Sequence, residues 1–371
     1  MTPFRRGRGA AALFTALVLS AAACGSGSGD VTLEETDDET ASTTTSSTTS
    51  TTTTVPLGPF APYTGEEIDA DSELLEQPPI VVKIGNNRID DSVEALTGID
   101  AADIVIEERI EIDATRFFAV FHSELPAEIG SVRSGRTTDV ELLPAFGTPI
   151  LVYSGANGGV QGQLDAAARA GDVVLAVDDG RGVNMYRNRE FRAPANLFTD
   201  PVDILELFGD EAGAPEPLVN FITSADPERP AGEPNDGVTV VGNDDVSFVH
   251  VPGTGYVRIQ NGEVHATQDG TPIVVDNLLI LETRYNRSEI YADSVDAVTT
   301  WWGPGHLMID GQLWSGVWER PETSDGYRVV LDDGTELLLD PGRTWISLAP
   351  EGSYDFAVDA ETAALATIPP G

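Results

Sequence analysis

Apolar residues in this chain follow two rhythms, and the change from one to the other sketches a fold. Short apolar or alternating runs at 79–84 (PIVVKI), 103–112 (DIVIEERIEI), 115–122 (TRFFAVFH) and 149–154 (PILVYS) read as strands. Spacings of three and four predict helices over 92–98, 136–146, 160–171 and 200–209, with Asp200 placed to cap the last and Pro201 in its first turn. The interleaving predicts an α/β (α+β) N-terminal domain over 76–225, a mixed sheet with flanking helices.

Beyond a Pro-, Gly- and acid-rich stretch at 224–237 (SADPERPAGEPNDG) only the strand rhythm persists. The runs YVRIQ, NLLILETRY, HLMID, LWSGVWE, YRVVL and ELLLD are punctuated by NG at 261–262 and by DG at 269–270, 310–311, 325–326 and 333–334. These dipeptides favour the positive φ of tight hairpins. A mostly antiparallel β C-terminal domain is expected over 235–350, closing on PGRTWISLAP, with a small polar tail at 351–371. About 275 residues are too many for one ordinary core, which also predicts two domains.

Neither rhythm appears in residues 25–58, which are Gly, Ser, Thr and acid. A segment so poor in apolar residues has no core to bury, and 24–75 reads as a disordered tether. Ahead of it, Arg5, Arg6 and Arg8 precede an apolar run from Ala10 to Ala23 and then Cys24, the one cysteine of 371 residues. The run is short for a permanent span, so 1–23 reads as a signal peptide. AAAC resembles a lipoprotein cleavage site, with Cys24 as the lipidated residue. That places the chain on the extracytoplasmic face of the cytoplasmic membrane, held by its lipid.

The formal charge is −40, and loss of the signal peptide leaves 18 basic against 61 acidic residues. Such a surface repels nucleic acid. Lys83 is the one lysine, which reads as a compositional bias toward arginine. Histidines 122, 250, 265 and 306 lack metal-ligand spacing and no second cysteine exists, so no metal or cofactor is expected. No G-x-S-x-G elbow occurs, and YSGANGGVQGQL (153–164) fits no phosphate-loop fingerprint and reads as a turn into a helix. The five tryptophans, 301, 302, 314, 318 and 345, read mainly as core of a small sheet, although such clusters also stack on sugars.

Strand parity supplies the candidate chemistry. Glu108 shares a face with Ile104, Ile106 and Ile110, whereas Glu107, Arg109 and Glu111 share the other with Val105. Arg116 falls on one face of the next strand with Phe118, Val120 and His122, so it can meet Glu107, Glu108 or Glu111 across a hairpin. Arg133 and Arg136 lie one turn apart in a Gly-containing turn entering a helix, where free N–H groups favour an anion. Arg187, Arg189 and Arg192 gather before Pro194 and form either a lobe of the same cleft or an exposed loop.

The stretch DAADIVIEERIEIDATRFFAVFHSELPAEIGSVRSGRTTDVELL resembles the YerB-like lipoproteins, a bacterial family of unknown function, and NREFRAPANLF and LDDGTELLLDPGRTWISLAP extend the likeness over about residues 78–350. The resemblance implies an N-terminal and a C-terminal YerB-like domain in a lipoprotein setting, and no reaction. It marks Asp103, Glu107, Glu108, Thr115, Arg116, Phe118, Arg133, Ser134, Arg136, Arg192, Pro194 and Asn196. It also implies a histidine where this chain has Ala195 and an acid where it has Gly85. The expectation is a lipid-anchored lipoprotein that binds an anionic or polar envelope component. Arg116, Arg133, Ser134, Arg136, Arg192 and Asn196 would contact that ligand, and Asp103, Glu107 and Glu108 would serve as acids or ion-pair partners. The alternatives are a carbohydrate hydrolase using Glu107 or Glu108, and a structural partner of an envelope protein complex.

Overall fold

Four of the N-terminal strands follow the predicted runs: β1 (Ile80–Asn86), β2 (Ile104–Arg109), β3 (Thr115–Phe121) and β4 (Ile150–Tyr153). A fifth, β5 (Val174–Val177), comes from a short apolar run that the sequence reading did not single out. β3 pairs antiparallel with β2 and β1, whereas β4 runs parallel to β1 and β5 parallel to β4. This computed structural model describes residues 58–111, 114–178, 180, 182–241, 245–291 and 294–366. The signal peptide, Cys24 and the Ser/Thr-rich stretch to residue 57 lie outside the described residues.

Three helices connect these strands. Helix α1 (Thr137–Leu142) tightens into a 3-10 turn, Leu143–Phe146, where Pro144 lacks an N–H to continue the α ladder. Helix α2 (Gly158–Ala170) starts on the Asn157 side chain, which accepts from Gly159 N, and stops at Gly171 with φ +89°. Helix α3 (Pro201–Phe208) begins on Asp200, whose carboxylate accepts from Val202 N at 2.9 Å, with Pro201 in its first turn as expected. The helix expected over 92–98 is a run of turns that buries Ala95 and Leu96 and ends at Gly98 with φ +75°. Thr97 instead exchanges backbone bonds with Gly130, at 2.8 and 3.2 Å, which takes the end of the run out of a helical ladder.

The second half supplies β6 (Gly237–Val240), β7 (Val246–Val251), β8 (Gly255–Gln260), β9 (Asn277–Thr283), β10 (Trp301–Ile309), β11 (Gln312–Arg320) and β12 (Thr344–Pro350). Asn261–Gly262 and Asp310–Gly311 have positive φ at both positions, as two-residue hairpin turns require. Strands β6 to β8 form an antiparallel sheet, and β9 to β11 form antiparallel neighbours in a larger one.

The two halves share that larger sheet. β12 runs parallel to β9 on one side and to β2 on the other, pairing Leu278 and Val105 with Trp345. Adding the short strands Glu336–Leu337 and Arg328–Val330, the order is Glu336–Leu337, Arg328–Val330, β11, β10, β9, β12, β2, β3, β1, β4, β5. Val81, Ile104, Ile106, Phe118 and Val120 face Leu142, Phe146, Val160 and Leu164 from the helical layer. Val105, Phe117, Leu278 and Trp345 face Phe248, Tyr256 and Val275 from the β6–β8 sheet. With both faces covered, the central strands are near-continuous apolar runs.

Three expected boundaries differ. The 224–237 stretch marks a change of rhythm but no break, because Glu233–Pro234 pairs with β11 and the described residues form one compact unit. Residues 58–75, expected in the tether, belong to the folded body: Phe60 bridges Glu67, and Tyr63 is buried with its ring 5.2 Å from His122. In the expected tail, Tyr354–Asp355 pairs with β6, and the short helix Ala360–Leu365 leads to the buried Ala366. Scattered aromatic and apolar side chains anchor both segments, which the surrounding polar composition conceals.

An ion pair ties the layers at the shared strand. Buried Glu107 accepts from Arg258 Nη2 at 2.8 Å, from Trp345 Nε1 at 3.1 Å and from Thr115 Oγ1 at 2.7 Å. The Arg258 guanidinium lies 5.0 Å from the Trp345 ring and 5.3 Å from that of Phe117. Truncating Glu107 to Ala leaves a buried guanidinium without its carboxylate, with an expected cost of roughly 3–5 kcal/mol. Urea unfolding of the wild type is expected to show a single transition by both tryptophan emission and far-UV circular dichroism. Two separated transitions would contradict the shared core.

Candidate functional site

The stretch Ile129–Val140 crosses the ends of the parallel strands β1 and β4. Arg133 N donates to Lys83 O at 2.8 Å, Ser154 N donates to Arg133 O at 2.9 Å, and Gly135 N donates to Gly155 O at 3.0 Å. The segment is stitched between the end of β1 and the turn that enters α2. Carboxyl ends of parallel strands are where open α/β sheets hold their ligands.

On this face, β1, β2 and β3 place Lys83, Glu108 and Arg116 side by side. Glu108 is the registered partner of Arg116 across the β2–β3 pair, as strand parity predicted, and Gly85 is its partner across β1–β3. Glu108 is nonetheless engaged by Lys83, whose Nζ lies 2.8 Å from Glu108 Oε1 and 2.6 Å from Asp139 Oδ1, all three residues being buried. The Lys83 ammonium also sits 5.3 Å from the Phe118 ring centroid. Burial raises the Asp139 carboxyl above its usual range despite Lys83. Lys83 is thus a structural cation, not a compositional accident. Its signal was legible: a lone lysine in an apolar strand, on the same parity as Gly85.

Arg116 is left over. It is 3 % exposed, its Nη1 donates to the Ser134 carbonyl at 3.2 Å, its Nε has no partner, and among the described residues no carboxylate pairs with it. Burial, and then the charges of Arg136 and Arg133, pull its pKa down to about 9. Arg136 is held by Glu111 through two bonds of 2.6 and 2.7 Å, and Arg133 is held by Asp90. Each keeps one buried N–H without an acceptor, Nε in Arg136 and Nη1 in Arg133. Burial raises and Arg136 lowers the Glu111 carboxyl, with a net fall. A Cβ on Gly85 would lie 2.8 Å from Arg133 Cγ and 2.6 Å from Ser92 Oγ, so the missing side chain makes room for the Arg133 stem.

The other expected members are elsewhere. At the N-terminus of α1 the Arg136 N–H is taken by Asp139 Oδ2 at 2.7 Å. Ser134 contributes its carbonyl. Arg192 is exposed on a turn, and Asn196 accepts from Arg187 Nη1 at 3.2 Å; neither joins the cluster. Ala195 is buried with Ala95 and Phe198. Glu107 and Glu108 occupy opposite faces of the sheet, each in its own ion pair, and do not form a carboxylate pair. Asp103 lies beyond the other end of β2, where it accepts from Ser123 N at 2.8 Å and from Ser123 Oγ. The sequence reading missed Lys83, Asp139 and Asp90. Among the described residues no group of three His, Cys, Asp or Glu is arranged to hold a metal ion, and no helix is long and apolar enough to cross a membrane.

Comparison with known proteins identifies the family. Two family models match, described as the N-terminal and C-terminal domains of a protein of unknown function (DUF3048), over residues 63–213 and 239–346. The chain belongs to the DUF3048 family. A Bacillus subtilis (strain 168) relative named "Putative lipoprotein YerB" is 27 % identical over 309 residues, covering 78 % of this chain and 86 % of the relative. A crystal structure of the YerB protein from Bacillus subtilis superposes with a TM-score of 0.68 at 25 % identity, covering 80 % of this chain and 98 % of that one. The first DUF3048 model begins at the buried Tyr63, in agreement with the early onset of packing. The second ends at Ile346, inside β12, so both models contribute strands to the central sheet.

Burial raises the Asp103 carboxyl to about 6 despite its bonds from Ser123. Between its ordinary value and about 6 the native state holds a proton that the unfolded chain has released. Stability from this group is therefore full at low pH and falls as pH rises through that window, by on the order of 3 kcal/mol. Asp103→Asn is expected to flatten that part of the stability–pH curve, measured by urea unfolding from pH 3.5 to about pH 7. An unchanged slope would refute the assignment.

Proposed function

We propose that this DUF3048 protein is anchored through a lipidated Cys24 at the extracytoplasmic face of the membrane, where its arginine cluster binds one carboxylate or phosphate group of an envelope component. The carrying observation is Arg116: a buried guanidinium with no carboxylate of its own, flanked by Arg133 and Arg136, each with a spare buried N–H. An unpaired buried charge costs several kcal/mol, and an arriving anion offsets that cost. Guanidinium groups suit such an anion because their paired N–H donors match its oxygens. Arg133 and Arg136 are partly exposed and form the rim, with Arg116 as the floor.

Thermal unfolding of the full chain with inorganic phosphate, glucuronate and N-acetylmuramic acid tests the site. At least one is expected to raise Tm, with a gain near 2.7 kcal/mol at about a hundredfold excess over Kd. Arg116→Lys should weaken the shift and Arg133→Ala/Arg136→Ala should abolish it. If no anion shifts the wild type while Arg116→Met raises Tm, the cluster is an internal charge network and the reading fails. The anchor is tested separately: Cys24→Ser is expected to move the protein from the membrane to the soluble fraction, and retention in the membrane would overturn it.

A further inference from the structure

The tryptophans divide into two groups. Trp314, Trp318 and Trp345 are buried, as the core reading expected, but Trp301 and Trp302 are 60 % and 58 % exposed on consecutive residues at the start of β10. They border a cavity of about 150 Å³ whose wall includes Trp318, Pro304, Glu282 and Arg284. Two large apolar rings left in water beside a cavity run against the ordinary burial of tryptophan.

The backbone bears on this directly. Trp301 has φ +110°, a region bulky residues rarely enter, and such conformations persist where the surroundings over-determine them. The surroundings here do so. Arg320, the registered partner of Trp301, is fully buried and donates to five acceptors: Thr299 Oγ1 at 3.1 Å and the carbonyls of Thr299, Glu141, Thr323 and Asp325 at 3.3, 2.8, 2.6 and 2.9 Å. One side chain thus ties Thr299, just ahead of the tryptophan pair, to α1 and to the loop that follows β11. Behind it, Trp318 Nε1 donates to Glu282 O at 2.9 Å, and its ring packs on Gly303, where a Cβ would approach Nε1 to 2.8 Å. The Glu282 carboxylate is itself fixed, accepting from Gly352 N and Tyr354 O–H at 3.1 Å each.

We propose that Trp301 and Trp302 form a binding platform for an uncharged sugar unit of a glycan. Aromatic faces take the C–H faces of a sugar ring, and convergent polar groups take its hydroxyls. Thr300, Glu282, Glu351 and Arg284 supply both donors and acceptors at this cavity. Two carboxylates against one guanidinium oppose an anionic sugar, and Arg284 opposes a small cation, which aromatic cages otherwise favour. This platform lies on β10 of the C-terminal half and shares no residue with the arginine cluster, so the two proposals stand or fall separately.

The test titrates the full chain with the β-1,4-linked tetramer of N-acetylglucosamine, with maltotetraose and with tetramethylammonium, reading tryptophan emission and calorimetric heat. Saturable binding of one of the two oligosaccharides is expected. Trp301→Ala and Trp302→Ala should each weaken it about tenfold. Trp302→Phe should weaken it less, and Arg116→Lys not at all. The tryptophan variants should keep the wild-type circular dichroism, because both rings are exposed. Absence of binding by both oligosaccharides up to about 10 mM, binding that the tryptophan changes leave unaltered, or binding of tetramethylammonium alone would each overturn the proposal.

Discussion

The backbone ladders on the two sides of Thr344–Pro350 hold the rest in place. Without this strand β2 and β9 would both present open edges, rows of unpaired N–H and C=O groups that invite wrong partners. With it, the N-terminal strands and the C-terminal hairpins become one sheet. That sheet sets the position of every charge on its two faces. Trp345, the second residue of this strand, carries the ladder's register into the side-chain layer through its bond to Glu107 and its contact with Arg258. The pair at 107 and 258 is thus a consequence of the strand insertion, which brings residues from both halves within bonding distance.

Charge placement follows from the same parity. Adjacent glutamates, 107 and 108, project to opposite faces, and each is answered there by one buried cation. Among the described residues Lys83 pairs with two carboxylates and Arg116 with none directly, so formal balance on the helical face is reached only across several residues. A network balanced in sum but not pair by pair leaves donors unused at one end. Those donors lie at the end of the parallel strands and not in the middle of the core.

The sequence revealed periodic features more readily than contingent ones. Strand runs such as Ile80–Asn86 and Thr115–Phe121, and the asparagine–glycine and aspartate–glycine hairpins at 261–262 and 310–311, were legible because alternation and positive φ are local properties. Parity alone put Glu108 opposite Arg116. It could not show that Lys83, 25 residues earlier in the chain than Glu108, would take that carboxylate first. Nor could composition show that Tyr63 is buried while its neighbourhood looks like a linker, or that Trp301 faces water while Trp314 does not. Such outcomes depend on what packs from a distant part of the chain. The seam at 224–237 looked like a domain boundary because its composition is that of a linker, and composition carries no record of Glu233–Pro234 joining β11.

Strand β12 has one more consequence, in time and not in space. Its partner Ile104 precedes Thr344 by 240 positions. A ribosome therefore delivers β2 long before the strand that must lie beside it, and closing so large a loop is entropically slow. A chain cut short anywhere before residue 344 keeps its central edge open and its core half wet, a state prone to aggregation and open to proteases. Synthesis as far as this late strand is in this way a condition of folding: β12 acts as a length check on the polypeptide.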